Sequence, residues 1–483
     1  MIGLYEAAAV REAEQAMVHS VPEGTLMQRA AVGLATHCMR SLPRVYGARM
    51  VVLAGAGANG GDALFAAALL ARRGAAVEVV AVAGDRLHAG GAAALRRAGG
   101  RIRALDVISD LTVMLGRADL ILDGIVGIGS EGELRPPADH VVEAANDAPG
   151  IRVAVDLPSG VNPDTGAVDG AAFRADHTVT FGAIKIGLTV GDGREHVGQL
   201  DVVDIGLAPH LGIPTAIRLS AGDVGDILPR AAEGDDKYSG GILGVAAGSS
   251  GYPGAAVLTV GAALRMRSSL VRYAGPAAGG VSDAWPEAVV VDGAPGDAGR
   301  VQAWAVGPGL GRDKAAGQVL ADVLGSDVPV VVDADGLRLL ADRPELLHHR
   351  AAVTVLTPHD REFTAFGVPL GSDRIGAVTE LAGRLGVTVL LKGAATIVVD
   401  PEGQTYVNAT GTAALASAGT GDVLTGVIGS LLASGVPPGL AAAAGAHLHG
   451  RAGQLAERAG ALLASDVIEA LPAARTLGRN FGS

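Results

Sequence analysis

"VVLAGAGANGGDALFAAALL", residues 51–70, decides the fold of the first half of the chain. An apolar run of strand length ends at Gly55, Gly57 and Gly60, and a helical pattern follows. A strand that turns through glycines into a helix is the opening unit of a parallel, doubly wound sheet. The glycines also have the spacing that grips a dinucleotide pyrophosphate. Asp62 follows at once and puts a carboxylate near a helix start that should welcome an anion. The second strand ends "VAVAGDR", so Asp85 comes late for the acidic residue that holds a ribose in redox domains. A Rossmann-like sheet is predicted, with a poor seat for a redox dinucleotide.

Outward from this stretch, helices are predicted before about Gly47, on both sides of Pro22-Glu23-Gly24. Strands are predicted at Met50–Ala54, Val77–Val82, Leu120–Leu122, Arg152–Val155 and His177–Thr180. Residues 207–220, "LAPHLGIPTAIRLS", lose the helical period and carry two prolines, which marks a domain boundary. The alternation then restarts, with strands at Ile242–Ala247, Ala303–Val306, Val328–Val332, Val353–Leu356, Val387–Leu391 and Thr396–Val399. The halves share a class but not their motifs, so two unlike α/β domains are expected, residues 1–210 and 220–483.

Composition agrees. A chain of 483 residues is too long for one ordinary domain. Apolar residues make up 49%, glycines number 72 and mean hydropathy is +0.36, which suits large cores joined by tight turns. The net charge of −12, with no basic block, argues against a nucleic-acid partner. Small anions remain possible ligands, because backbone N–H groups bind phosphate without a basic surface. Cys38 is the only cysteine, so an intrachain disulfide and a thiolate zinc cluster are excluded, and a buried structural thiol is expected. Glu6, Arg11, Glu12 and Glu14 interrupt the place where a signal peptide needs an apolar core. The long uncharged run 423–450 is broken by Pro437-Pro438 and reads as two buried helices rather than a membrane span. A cytoplasmic protein without a membrane partner is expected.

Ligands of open parallel sheets bind outside the carboxyl ends of strands. Three such ends in the first half carry acids or amides: residues 55–62, "DGIVGIGSEGE" from Asp123, and "DLPSG" with Asp156 and Ser159. Asn59, Asp123 and Ser159 offer hard oxygen ligands to a cation. Asp156 is then free for acid–base work. The plainer alternative makes Asp62 an N-terminal helix acid stabilised by the dipole.

With "NGGD" in the loop and "DGIVGIG" and "VDLPSG" at later strand ends, the first half resembles the NAD(P)H-hydrate epimerase domain up to about Ala208. The family loop reads Asn-Asn-Gly-Gly-Asp-Gly, and this chain departs from it at Ala58 and Ala63. The resemblance implies K⁺ on Asn59, Asp123 and Ser159. It implies substrate contacts from Ala58, Asn59, Gly60, Gly61 and Asp62, from Gly127, Ile128, Gly129, Ser130, Glu131, Gly132 and Glu133, and from Asp156. The ligand would be a damaged nicotinamide cofactor bound as substrate.

In the second half, "SAGTGDVLTGVIGSLL" sets Gly419, Thr420 and Gly421 where consecutive N–H groups face an anion at a helix start. Asp422 stands beside that anion, placed to take a proton from an attacking hydroxyl. An ordinary glycine turn with an N-terminal acid would have the same local sequence. Other strand ends add Lys392 in "VLLKGAAT", Gly307, Gly309 and Gly311 in "VGPGLG", Asp333 and Asp335 in "VVVDADG", His359 in "VLTPHDREF", and Gly254-Ala255 in a small-residue bend. His348-His349 and the pair His447 and His449 suit no metal spacing.

This set resembles the ADP-dependent NAD(P)H-hydrate dehydratase domain, of the ribokinase-like class, from about Ser220 onward and including "DKYSGG". The resemblance implies nucleotide contacts from Lys392, Gly393, Ala394, Ala395, Thr396, Gly419, Thr420 and Gly421. It implies contacts with the hydrated cofactor from Ala255, Gly309, His359 and Asp422. Asp360 and Arg361 depart from the proline-glycine that the family places between the histidine and its glutamate. Implied with it are ADP as co-substrate, Mg²⁺ beside the nucleotide, NADHX or NADPHX as substrate, Asp422 as general base, Asp156 as acid–base group of an epimerase, and a homo-oligomer. Two rival readings are a ribokinase-like small-molecule kinase, and a first half that is a non-catalytic binding module.

Overall fold

The computed structural model describes residues 1–129, 132–230, 233–234, 236, 238–266, 270–458, 460 and 462–477. The chain divides into two compact units, residues 3–215 and residues 216–483, with Met1 and Ile2 counted in the second.

The N-terminal unit is built on a parallel sheet. Its strands run, in spatial order, Arg101–Ala104, Ala76–Ala81, Arg49–Ala54, Leu120–Gly124, Ile151–Val155, His177–Phe181 and Gln199–Val203. All six pairings are parallel. Central strands such as Leu120–Gly124 are buried throughout, as two helical layers require. Helices Thr25–Ser41, Ala58–Arg72 and Ala89–Arg97 cover one face around Leu34, Leu64 and Leu95. Helices Leu111–Gly116 and Ala138–Asn146 cover the other around Leu115 and Val142. Strand order reverses between Arg49–Ala54 and Leu120–Gly124, and a crevice opens at such a switch point.

The C-terminal unit carries a mixed sheet. Seven strands are parallel in the order Val289–Val291, Leu270–Ala274, Ile242–Ala246, Ala303–Val306, Val330–Val332, Thr354–Leu356 and Thr388–Leu391. Antiparallel strands Thr396–Val399 and Thr405–Asn408 follow, then Ala216–Arg218. Helices Pro253–Arg265, Thr420–Ala433, Pro438–Glu457 and Ala464–Leu477 bury one face. Helices Lys314–Leu324, Asp335–Asp342 and Arg374–Leu385 belong to the same unit.

The expected strands are present within two residues at each end. The strands Arg101–Ala104, Gln199–Val203, Leu270–Ala274, Val289–Val291 and Thr405–Asn408 were not expected. Most are edge strands or carry polar residues that break the apolar run, as in "RIRA" and "QLDVV". The run 423–450 belongs to helices Thr420–Ala433 and Pro438–Glu457. Among the described residues no helix is long and apolar enough to cross a membrane. Cys38 is buried, and burial pushes its thiol up to about 12, so it stays protonated.

Candidate active sites

In the N-terminal unit the glycine loop is shorter than its sequence suggested. Helix Ala58–Arg72 begins directly after Gly57. Asp62 therefore lies in the second turn, and the first turn holds no acid. This corrects the alternative that made Asp62 a dipole-stabilised N-terminal acid. The glycines serve chain crossing. A Cβ on Gly55 would fall 1.8 Å from the Ile125 carbonyl oxygen, and one on Gly60 would fall 2.3 Å from that of Gly55.

Asp62 instead faces an acid cluster. Burial first, then the charges of Asp156 and Glu14, push its carboxyl well above the usual range, and Lys185 opposes the shift. Its Oδ1 is buried without a hydrogen-bond partner. Glu14, from helix Ala7–Val18, is also raised, by burial against the pull of Lys185. Asp156 follows the strand Ile151–Val155 in the left-handed region, with φ of 67°, a conformation aspartate tolerates better than most residues. Its Oδ1 accepts from Lys185 Nζ, from Thr180 Oγ1 at 3.1 Å and from the Phe181 N–H at 3.1 Å. Lys185 is fully buried and also donates to the Phe181 carbonyl at 3.1 Å. Its backbone pairs in parallel with Tyr5. Three carboxyls around one ammonium cannot all ionise in a low dielectric, so the cluster is suited to hold and pass a proton.

A cavity of about 820 Å³ brings together Ala58, Asn59, Asp62, Gly127, Ile128, Gly129, Glu133 and Asp156. A second, of about 540 Å³ and more apolar, meets the first at Glu14, Ala58, Asp62 and Phe181. Gly60 and Gly61 are buried in the helix and do not line the first cavity, nor does Gly132. Ser130 and Glu131 lie outside the described residues.

Behind the cavity, Asp123 and Ser159 are fully buried. Ser159 donates to Asp123 from Oγ at 2.7 Å and from N–H at 2.8 Å, and Ser159 Oγ accepts from the Val126 N–H at 3.2 Å. Asn59 donates from Nδ2 to the Val126 carbonyl at 2.6 Å, which leaves its Oδ1 for another partner. Burial pushes the Asp123 carboxyl up to about 6, against the hydrogen bonds from Ser159 and Ile125. A buried carboxylate with oxygen neighbours and no countercharge fits a monovalent or divalent hard cation.

In the C-terminal unit the parallel strand ends converge on Asp333. It accepts from Lys392 Nζ at 2.7 Å and from Thr425 Oγ1 at 2.7 Å. Lys392, directly after the strand Thr388–Leu391, also lies 3.8 Å from Glu362. Burial, the largest influence, favours its neutral amine, but Asp333 and Glu362 outweigh burial and raise its pKa. His359 caps the short helix Asp360–Phe363: its Nδ1 accepts from the Arg361 and Glu362 N–H groups, and Glu362 accepts from the His359 N–H at 2.9 Å. Asp360 and Arg361 therefore form the first helical turn, at the place where the resembled family carries proline-glycine. Asp360 is gripped by both terminal nitrogens of Arg374.

Helix Thr420–Ala433 starts at Gly419, whose φ of 85° favours glycine. The N–H groups of Gly421 and Asp422 have no intrahelical acceptor, whereas Thr420 N–H donates to the Ser417 carbonyl at 3.5 Å and Val423 N–H to that of Gly419 at 3.2 Å. Thr420 contributes no free hydroxyl, since Oγ1 donates to the carbonyls of Leu415 and Ser417. A Cβ on Gly421 would sit 3.5 Å from Lys392 Nζ, so the glycine turn and the lysine ammonium are neighbours. Burial first, then the charge of Asp333, push the Asp422 carboxyl up to about 7, with Lys392 opposing. Gly309, at φ of 59°, packs against Ala255, which lies in the first turn of helix Pro253–Arg265 rather than in a bend. Gly393 and Ala394 are exposed, Ala395 is buried, and Thr396 opens the next strand. His447 and His449 lie in the buried helix Pro438–Glu457, each held down to about 4 by burial. His348-His349 follow a 3₁₀ turn on the surface.

Lys185, Glu14, Thr425 and Glu362 carry contacts that the sequence reading gave no role. A lone lysine inside "GAIKIGL" was the one local signal for Lys185.

Residues 23–187 match the family model described as YjeF-related protein N-terminus, and residues 243–473 that of NAD(P)H-hydrate dehydratase. A bifunctional NAD(P)H-hydrate repair enzyme Nnr of Mycobacterium tuberculosis is 48% identical over 444 residues, 91% of each chain. The chain belongs to the bifunctional NAD(P)H-hydrate repair enzyme family. The counterpart in Mycobacterium leprae is 47% identical over 93% of each chain. A ribokinase-like superfamily protein from Enterococcus faecalis aligns with 56% of this chain and 98% of its own, at 24% identity and a TM-score of 0.50, which supports a ribokinase-like fold. Family membership favours the repair reading over the kinase with a non-catalytic partner module.

Proposed function

We propose that the protein repairs hydrated NADH and NADPH. The C-terminal unit dehydrates the S form at the expense of ADP, and the N-terminal unit interconverts the R and S forms. The observation that carries the reading is Asp422, half-buried among first-turn N–H groups and beside Lys392 and Asp333.

In the dehydratase unit Asp422 takes the proton of the C6 hydroxyl. The oxygen attacks the terminal phosphorus of ADP, and AMP leaves. The N–H groups of the Gly419–Gly421 turn and Lys392 meet the charge that moves with the phosphoryl group. The phosphate ester then leaves C6 with its bonding electrons, and loss of a C5 proton restores the ring double bond. Phosphorylation thus turns hydroxide into a good leaving group. Mg²⁺ would add positive charge on the nucleotide phosphates. Asp333 is already committed to Lys392 and Thr425, so the phosphates and water would supply most of its ligands, as this ion prefers.

In the epimerase unit Asp156 and its buried acid neighbours assist departure and return of the C6 oxygen. Asn59, Asp123 and Ser159 would hold K⁺, which supplies the countercharge that buried Asp123 lacks. Hydrated NADH mixed with the protein, ADP and Mg²⁺ is expected to regain NADH absorbance with stoichiometric release of AMP and phosphate. Accumulation of a stable phosphorylated product, with no phosphate released, would refute the reading.

A further inference from the structure

Away from both sites, three side chains of the N-terminal unit meet beside the edge of its sheet. His37 comes from helix Thr25–Ser41, His177 opens the strand His177–Phe181, and Asp201 lies within the edge strand Gln199–Val203. One ligand-capable atom of each lies within 4.8 Å of the other two. His37 Nδ1 is 3.4 Å from Asp201 Oδ2, long for a hydrogen bond. Donors about 2.0–2.1 Å from a tetrahedral zinc ion lie about 3.4 Å from one another, which is the same spacing. The two imidazole centres are 4.9 Å apart at 64°. Two imidazoles sharing one tetrahedral ion have centres about 5 Å apart.

His177 Nδ1 is buried without a hydrogen bond, a costly state unless something outside the chain meets it. On His37 it is Nδ1 that faces Asp201. Asp201 is 41% exposed and opens the cluster to solvent. Arg40, one turn along the helix and exposed, is the charge that opposes a cation here. Cys38, adjacent in sequence, is fully buried and is not among the grouped ligand atoms.

We propose that His37, His177 and Asp201 bind a divalent transition-metal ion of the zinc class, with water completing its shell. Imidazole and carboxylate donors suit such ions. The ion ties helix Thr25–Ser41 to the last two strands of the sheet. The N-terminal end of that helix, including Thr25, Leu26 and Met27, walls the cavity that Glu14 and Asp62 also line. A metal at its far end would steady that wall.

The test uses full-length, chelator-treated protein titrated with Zn²⁺ alone by calorimetry, and with Co²⁺ alone by visible absorption. One Zn²⁺ per chain and a Co²⁺ ligand-field band are expected. Both should weaken at least about tenfold in His177→Gln and in Asp201→Asn. Asp201→Asn removes a half-exposed carboxylate and is expected to keep the metal-free melting temperature, so lost binding will not reflect lost folding. No binding by the wild type, or binding equally tight in both variants, overturns the site.

Discussion

Asp422 has a carboxyl pushed up to about 7, so its protonation changes across the range where the enzyme would be assayed. As a general base it must be ionised. Dehydratase kcat/KM is therefore expected to rise with pH through about 7 and level off above it. Asp422→Asn should cost about 10²–10⁴ in rate, read by NADH recovery from the S form. Stability runs the other way. The folded pKa lies above the ordinary aspartate value of 3.8, so ionising Asp422 destabilises the native state, not at all below about pH 4 and fully above about pH 7. Asp422→Asn is expected to raise the melting temperature near pH 8 and leave it unchanged near pH 4. Lys185 gives a second prediction. Lys185→Met strands the Asp156 carboxylate in a buried site and should cost roughly 3–5 kcal/mol in denaturant unfolding. The double variant Asp156→Asn/Lys185→Met should regain most of that stability without regaining epimerisation. Such pairing across 29 positions left only faint traces in the sequence. Asp156 was legible because it ends a strand, whereas Lys185 and Glu14 reach it from elements whose positions the sequence does not state.

At the scale of elements, the glycine loop shows how one motif supports two explanations. Strands Arg49–Ala54 and Leu120–Gly124 end side by side, and Gly55 donates to the Gly124 carbonyl at 3.0 Å. Gly55 thus has backbone where a side chain would begin, whereas a Cβ on Gly57 meets nothing within 4 Å. Gly55→Ala is expected to destabilise the N-terminal unit by at least about 1–3 kcal/mol. Gly57→Ala should stay within about 0.5 kcal/mol of wild type. Equal effects in urea melts would remove close packing as the reason for Gly55. Central strands were legible because burial on both faces leaves continuous apolar runs. The strand Gln199–Val203 was not, because an edge strand alternates and admits Asp201.

At the scale of the whole molecule, each unit has its own core, one assembled from residues up to Leu211 and the other from Ile217 onward. Removing one chemistry should therefore spare the other. Asp156→Asn is expected to leave turnover of the S form within about twofold, since Asp156 has no part in the C-terminal core. The R form should then remain unconverted. Given a mixture of epimers with excess ADP, recovery of NADH should stop at the S fraction, where the wild type runs to completion. Continued conversion beyond the rate of spontaneous epimerisation would remove Asp156 from the mechanism.

The sequence by itself determined the class of both units, the order of their central strands along the chain, the strand ends that carry Asp123, Asp156, His359 and Lys392, and the helix start that carries Asp422. Periodicity and glycine turns are local, and local chemistry is written in consecutive residues. Tertiary structure alone decided that Asp62 looks into a cluster with Glu14, Asp156 and Lys185, and that Asp333 is committed to Lys392 and Thr425. Those arrangements depend on how far each side chain is removed from water and which charge waits there, and neither quantity exists until the chain has packed.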